Sequence, residues 1–165
     1  MHLSTVINLF NLPEFHEAFL PNLLDYIKGG NAEIRQAAAE CLSKILLYQY
    51  SSSKRQELIT LIRQDLAESN SCVLRKTFIY FCKSAILSFS RDFFRNNFLH
   101  LYLALSKDKI ATVRMEFANS VPFMKPYFDY DMSLNLELMD IINTLKQDSD
   151  RDVIECVEQC DYKLL

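Results

Sequence analysis

The side chains with the most reactive chemistry are few in this sequence and far apart. Three histidines, His2, His16 and His100, stand alone, with no H-E-x-x-H run and no paired Cys/His spacing that would build a zinc site. His16-Glu17 is one His-Glu pair, whereas a di-iron centre takes several such pairs from facing helices. Its plain reading is a solvated helix amino terminus. Cys156 and Cys160 lie four apart, share a helix face and half-build a soft-metal site; no second pair of ligands accompanies them, and buried core thiols account for them better. Two glycines, Gly29 and Gly30, cannot make a G-x-G-x-x-G turn or a phosphate-cradling loop, and there is no G-x-S-x-G elbow. We therefore expect no catalytic residue, no cofactor, no metal and no enzymatic activity.

What does recur is an aliphatic-Arg pair. Ile34-Arg35, Leu74-Arg75 and Val113-Arg114, followed by Val153-Ile154, fall at successive spacings of 40, 39 and 40 residues. Each follows a polar turn signal, namely Asn31, Asn70, Asp108 and the run Asp148-Ser149-Asp150. A guanidinium repeated at this period is placed to bond an acidic or carbonyl group of the neighbouring unit, so Arg35, Arg75 and Arg114 are expected to form a structural ladder rather than to contact a partner directly.

The elements that carry these pairs are legible from periodicity. After each pair the apolar residues return at helical spacing: Ile34, Ala38, Cys41, Ile45; Leu74, Phe78, Cys82, Ala85; Val113, Phe117, Val121, Met124; Val153, Val157, Cys160. A second amphipathic stretch precedes each pair, as in Leu58, Ile62 and Leu66. The spacing predicts an all-α solenoid of about four helical hairpins, at 14–49, 54–89, 92–125 and 132–163, forming one array over 1–165. Leu3 to Leu12 reads as an amino-terminal half-hairpin whose apolar face needs cover, from further repeats or another subunit. Pro122, and similarly Pro21, is expected to kink its helix or end the regular part. The aromatics Phe89, Phe93, Phe94, Phe98, Tyr127, Phe128 and Tyr130 are expected to pack between hairpins, with some rings left exposed.

Composition agrees with long helices. Half of the 165 residues are hydrophobic, and two glycines and four prolines are too few for the turns of a sandwich or barrel. A net charge of -3, with the 18 Lys and Arg dispersed, shows no basic stripe for nucleic acid. No apolar run approaches the ~18 residues of a membrane span. Five cysteines, an odd number without a C-x-x-C pair, read as buried, reduced thiols of a cytoplasmic protein.

The period and the aliphatic-Arg pair resemble the HEAT repeat of the armadillo-like helical class. More narrowly, Leu74-Arg75-Lys76-Thr77-Phe78-Ile79-Tyr80-Phe81-Cys82, Asp108 to Met115, and Asp148-Ser149-Asp150-Arg151-Asp152-Val153 are similar to the carboxy-terminal part of the array in regulatory subunits of protein phosphatase 4, relatives of the scaffold (A) subunit of protein phosphatase 2A. The fourth hairpin departs from the pattern with Ile154 in the Arg place. The resemblance implies a non-enzymatic scaffold that holds a Ser/Thr phosphatase catalytic subunit, or another protein partner, mainly through the turns within hairpins. The matching turns offer Asn31, Glu33, Glu68, Asn70, Lys107, Lys109, Asp148, Asp150 and Arg151 as protein-binding candidates. An alternative in the binding class is a HEAT module on a tubulin or axonemal assembly, for which basic and Trp-bearing turns would be expected, and the chain has no Trp. A third reading, a HEAT-like di-iron hydroxylase, rests on His16-Glu17 alone.

Overall fold

The computed structural model describes the backbone of residues 12–49 and 51–161 and the side chains of 18–49 and 51–160. The described residues form eight helices and no strand: α1 Leu12–Gly29, α2 Ala32–Tyr48, α3 Ser52–Leu61, α4 Cys72–Ser88, α5 beginning at Arg91–Phe94, α6 Ala111–Phe128, α7 Met132–Leu145 and α8 Arg151–Asp161. α3 runs on through a π-helical turn, Ile62–Ala67. α5 passes through another, Arg95–Leu99, then His100–Ala104, and tightens into a 3-10 turn at Leu105–Lys107. Periodicity gives no warning of these π turns, since each shifts the register without interrupting the apolar stripe.

Short polar side chains start the helices by taking orphan N–H groups. The Asn31 side chain accepts from Ile34 N at 2.9 Å, the Ser90 hydroxyl from Phe93 N at 3.3 Å, and the Asp131 carboxylate from Ser133 N and Leu134 N at 3.0 and 3.3 Å. Each such cap stabilises its helix by about 1 kcal/mol. Consecutive helices pair as hairpins, and the second helices stack α2 on α4 on α6 on α8, so one apolar core runs from Leu23 to Val157. This is an all-α solenoid, in which every hairpin buries its faces against its neighbours.

The middle of the stack is aromatic. Phe98 of α5 is fully buried, with its ring 5.0 Å from Phe81, 6.0 Å from Phe93 and 6.3 Å from Phe78, mostly edge-on. Phe94, Phe117 and Phe128 are also sealed, Phe89 and Phe93 are half-buried, and Tyr130 is 77% exposed, with the Arg91 guanidinium 3.3 Å above its ring. Polar groups inside this core are satisfied in pairs: the Tyr102 and Ser120 hydroxyls meet at 2.7 Å, and Ser120 donates to the Phe117 carbonyl at 2.6 Å.

Two sequence expectations need adjustment. α6 does not end at Pro122 but continues through Pro122 and Pro126 to Phe128, and α1 likewise runs through Pro21. Each proline removes one backbone donor, but buried Val121, Met124, Tyr127 and Phe128 hold the far turns of α6 on neighbouring helices, and that packing outweighs the lost bonds. Cys82, Cys156 and Cys160 are buried as expected, whereas Cys41 and Cys72 are only half-buried. The half-hairpin at Leu3 to Leu12 falls, but for the backbone of Leu12, outside the described residues, as do the side chains of His16 and Glu17.

Candidate functional site

Along the edge where the intra-hairpin turns lie, a ladder of charge ties the second turn to the third and the third to the fourth. Arg75, on the first turn of α4, reaches across to the next hairpin and donates Nε–H and Nη2–H to the two oxygens of Asp108, at 2.5 and 2.8 Å. Its Nη1 turns back to the Ser69 and Asn70 carbonyls at 2.8 and 3.1 Å. Arg114 repeats the arrangement one hairpin on, with Nε and Nη2 on Asp148, both at 2.7 Å, and Nη1 on the Asp108 carbonyl at 2.7 Å. Asp108 is thus the node: its carboxylate holds the arginine behind it and its carbonyl the arginine ahead. Both pairs are nearly shut off from solvent, with side-chain exposures of 8% and 6% for Arg75 and Asp108, and 13% and 9% for Arg114 and Asp148.

Two-pronged contact between a planar guanidinium and a carboxylate fixes angle as well as distance, so the ladder sets how one hairpin sits on the next. It stops at both ends for visible reasons. Ile154 replaces the arginine of the fourth hairpin, and Arg35 of the first donates to the Gly30 carbonyl while forming no ion pair among the described residues. Neither aspartate was assigned this role from sequence. The signal was present nonetheless, since each stands six residues before the Arg position of its own hairpin and pairs with the arginine of the hairpin before.

The ladder makes the fold acid-sensitive. Burial pushes the Asp108 carboxyl up, but the Arg75 guanidinium and the Ile110 N–H outweigh it and hold it below the usual carboxylate range. The Arg114 guanidinium does the same to Asp148 against its burial. A carboxyl depressed on folding contributes stability that is fully present above its unfolded value of about 4 and is lost as pH falls through the lower folded value. Melting temperature should therefore be insensitive to these two groups from pH 7 to about 5 and fall below about 4. The Asp148→Asn chain, melted across the same series, should start lower and show a shallower acid limb; an unchanged limb would remove Asp148 as its source.

The turn residues expected from sequence divide into two kinds. Asn31, Glu33, Glu68, Asn70, Lys107, Lys109 and Arg151 are exposed along the turn edge. Asp148 is taken by Arg114, and half-buried Asp150 accepts from Asp152 N at 3.0 Å, so both shape their turn from inside.

Two further surfaces were not anticipated. On the face made by the second helices, Gln36, Glu40 and Lys44 of α2, Lys83 and Leu87 of α4 and Phe123 of α6 line an open groove of about 430 Å³. Leu87 is 75% exposed there, and Lys83 lies over the Phe123 ring at 5.4 Å. Tyr80, in the same groove, donates to Glu116 at 3.1 Å, and burial followed by that carboxylate pushes its hydroxyl up to about 12. On α7 the residues Met132, Leu136 and Met139 form an exposed apolar stripe opposite the buried Leu138, Ile141 and Leu145. Sequence reading followed only the second stripe, because Leu138, Ile141 and Leu145 repeat in register with the first helices of the other hairpins.

Among the described residues no three His, Cys, Asp or Glu side chains converge as metal ligands. Cys156 donates to the Met115 carbonyl at 3.5 Å, and burial, then Cys160, pushes its thiol up to about 11, far from a reactive thiolate. His100 lies in a groove of about 500 Å³ between α5 and α7 with Arg95 and Lys107 on one side and Glu137 and Asp140 on the other. No described helix is long and apolar enough to cross a membrane.

No protein-family profile matches the chain. Among curated proteins, it is 28% identical over 156 residues, 92% of its length, to serine/threonine-protein phosphatase 4 regulatory subunit 4 of Mus musculus. It is 26% identical over 153 residues, again 92% of its length, to the protein of that name from Homo sapiens. The matched stretch makes up 18% and 16% of those two relatives, so the chain spans less than a fifth of their length.

Proposed function

We propose that the chain has no chemistry of its own and acts as a regulatory scaffold segment, binding the catalytic subunit of a Ser/Thr protein phosphatase of the phosphatase 4 kind along its edge of intra-hairpin turns. The observation that carries this reading is the similarity to a phosphatase 4 regulatory subunit over 92% of the chain. The architecture supports it, because a solenoid offers long ridges rather than closed pockets, and the arginine ladder holds successive turns at a set angle for a rigid partner. Lys107 and Lys109 on the third turn and Arg151 on the fourth provide exposed cations, and Glu33 and Glu68 on the first and second provide anions, so the edge carries a charge order that can select a partner and its orientation.

Titrating the purified phosphatase 4 catalytic subunit against the full chain, by calorimetry or surface plasmon resonance, should give a Kd of about 10 µM or tighter. The Lys107→Glu/Lys109→Glu chain should bind at least ~10-fold more weakly with an unchanged melting temperature. No binding by the unaltered chain at ~100 µM would dispose of the phosphatase reading. Binding untouched by the lysine reversals but lost on Phe123→Ala would move the contact from the turns to the second-helix groove.

A further inference from the structure

Ser69 stands where the ladder has an aspartate in the next two hairpins. It lies six residues before Arg75, as Asp108 lies six before Arg114 and Asp148 six before Ile154. The local geometry is the same in all three turns. The Ser69 hydroxyl accepts from Ser71 N at 3.2 Å, as Asp108 Oδ1 accepts from Ile110 N and Asp148 Oδ1 from Asp150 N, both at 2.8 Å. The Ser69 carbonyl accepts from Arg75 Nη1, as the Asp108 carbonyl does from Arg114 Nη1. The arginine that would meet an acid at this turn is Arg35, and its separation from Ser69 is 34 residues, against 33 for Arg75 to Asp108 and 34 for Arg114 to Asp148. Arg35 is half-buried, its Nη1 donates to the Gly30 carbonyl as those of Arg75 and Arg114 donate to carbonyls of their own turns, and among the described residues no carboxylate pairs with it.

An arginine held at a ladder position beside a half-buried hydroxyl in a polar turn is one anion short, and a phosphate is the anion a serine can acquire. We propose that Ser69 is a phosphorylation site, and that its phosphate is gripped by Arg35, closing the ladder between the first and second hairpins. The Ser69 Oγ forms a bond to the γ-phosphorus of a nucleoside triphosphate bound to a protein kinase. The bond from that phosphorus to the bridging oxygen breaks, nucleoside diphosphate leaves with the electron pair, and the hydroxyl proton passes to the kinase base. The phosphate oxygens then stand one bond further from the backbone than those of Asp108, which extends their reach toward the guanidinium. The modification adds a charged tie to the apolar packing of the first inter-hairpin junction, whatever partner the chain binds, so it does not rest on the phosphatase reading.

Two measurements test it. Mass spectrometry of the chain purified under phosphatase inhibitors from cells that make it should show phosphate on Ser69; Ser69 found only unmodified, with its peptide well covered, overturns the site. Separately, the full chain made with phosphoserine encoded at 69 should melt about 3–6 °C higher than the unmodified chain. Ser69→Asp, which supplies the acid of the other two turns, should give a smaller rise in the same direction. Arg35→Gln should cancel both gains, and in the unmodified chain should lower the melting temperature by no more than about 2–4 °C through loss of its bond to the Gly30 carbonyl. A gain that survives Arg35→Gln, or a loss on phosphorylation, refutes the grip by Arg35.

Discussion

Replacing Phe98 by alanine is expected to cost about 3–5 kcal/mol, because a fully buried ring is removed from the point where α4 and α5 meet and the rings around it cannot all collapse inward. Phe81, Phe93, Phe94 and Phe78 lie on several sides of Phe98, at centroid distances of 5.0 to 6.3 Å, and three of these four are themselves fully enclosed. In a chain of this length the loss corresponds to a fall in melting temperature on the order of 10 °C. Urea titration followed by helical circular dichroism measures it directly. Phe123→Ala is the control: that ring is 42% exposed in the second-helix groove, and its loss should cost no more than about 1 kcal/mol. Equal penalties for the two would mean that the aromatic cluster does not anchor the stack.

Breaking the ladder should be nearly as damaging, and unequally so along the chain. Arg75→Ala or Arg114→Ala leaves a nearly enclosed aspartate without its counter-charge, a loss of about 3–5 kcal/mol. The sum over one guanidinium is large because it serves two masters, the acid of the next hairpin and a carbonyl of its own turn. Arg35→Ala strands no acid and removes one bond to a carbonyl, so about 1 kcal/mol is expected. A double-mutant cycle on Arg75→Ala and Asp108→Ala should return a coupling of about 2–3 kcal/mol, since the second substitution removes the charge that the first leaves exposed to the core. If all three arginines proved equivalent, their role would be that of ordinary surface cations and the hairpin angles would be set by apolar packing alone.

How much of this was legible beforehand depends on the range over which each feature is encoded. Helix positions were readable because their signals are local: Asn31 caps α2 three residues away, and the stripe Val113, Phe117, Val121, Met124 that marks α6 is buried along its whole length. The recurrence of Arg35, Arg75 and Arg114 was equally visible, since counting alone reveals it. The partners of those arginines were not. Asp108 is 33 residues from Arg75 and Asp148 is 34 from Arg114; Asp148 has Asp150 and Asp152 beside it, and main-chain carbonyls line both stretches, so chain distance by itself does not choose the partner.

The sequence by itself determined an all-α repeat with a period near 40, because the alternation of apolar and polar residues leaves each helix one face to bury and each hairpin two neighbours to bury it against. Tertiary structure decided everything that required those neighbours to be in place. It carried α6 past Pro122 on the packing of Val121, Met124 and Phe128, and brought Asp108 and Asp148 under Arg75 and Arg114. It also sorted apolar residues that look alike in the chain, enclosing Leu138 and Ile141 while leaving Leu136 and Met139 of the same helix open. The physical reason is common to all of these: burial and charge pairing act through space between hairpins, and their outcome is settled only when the stack closes.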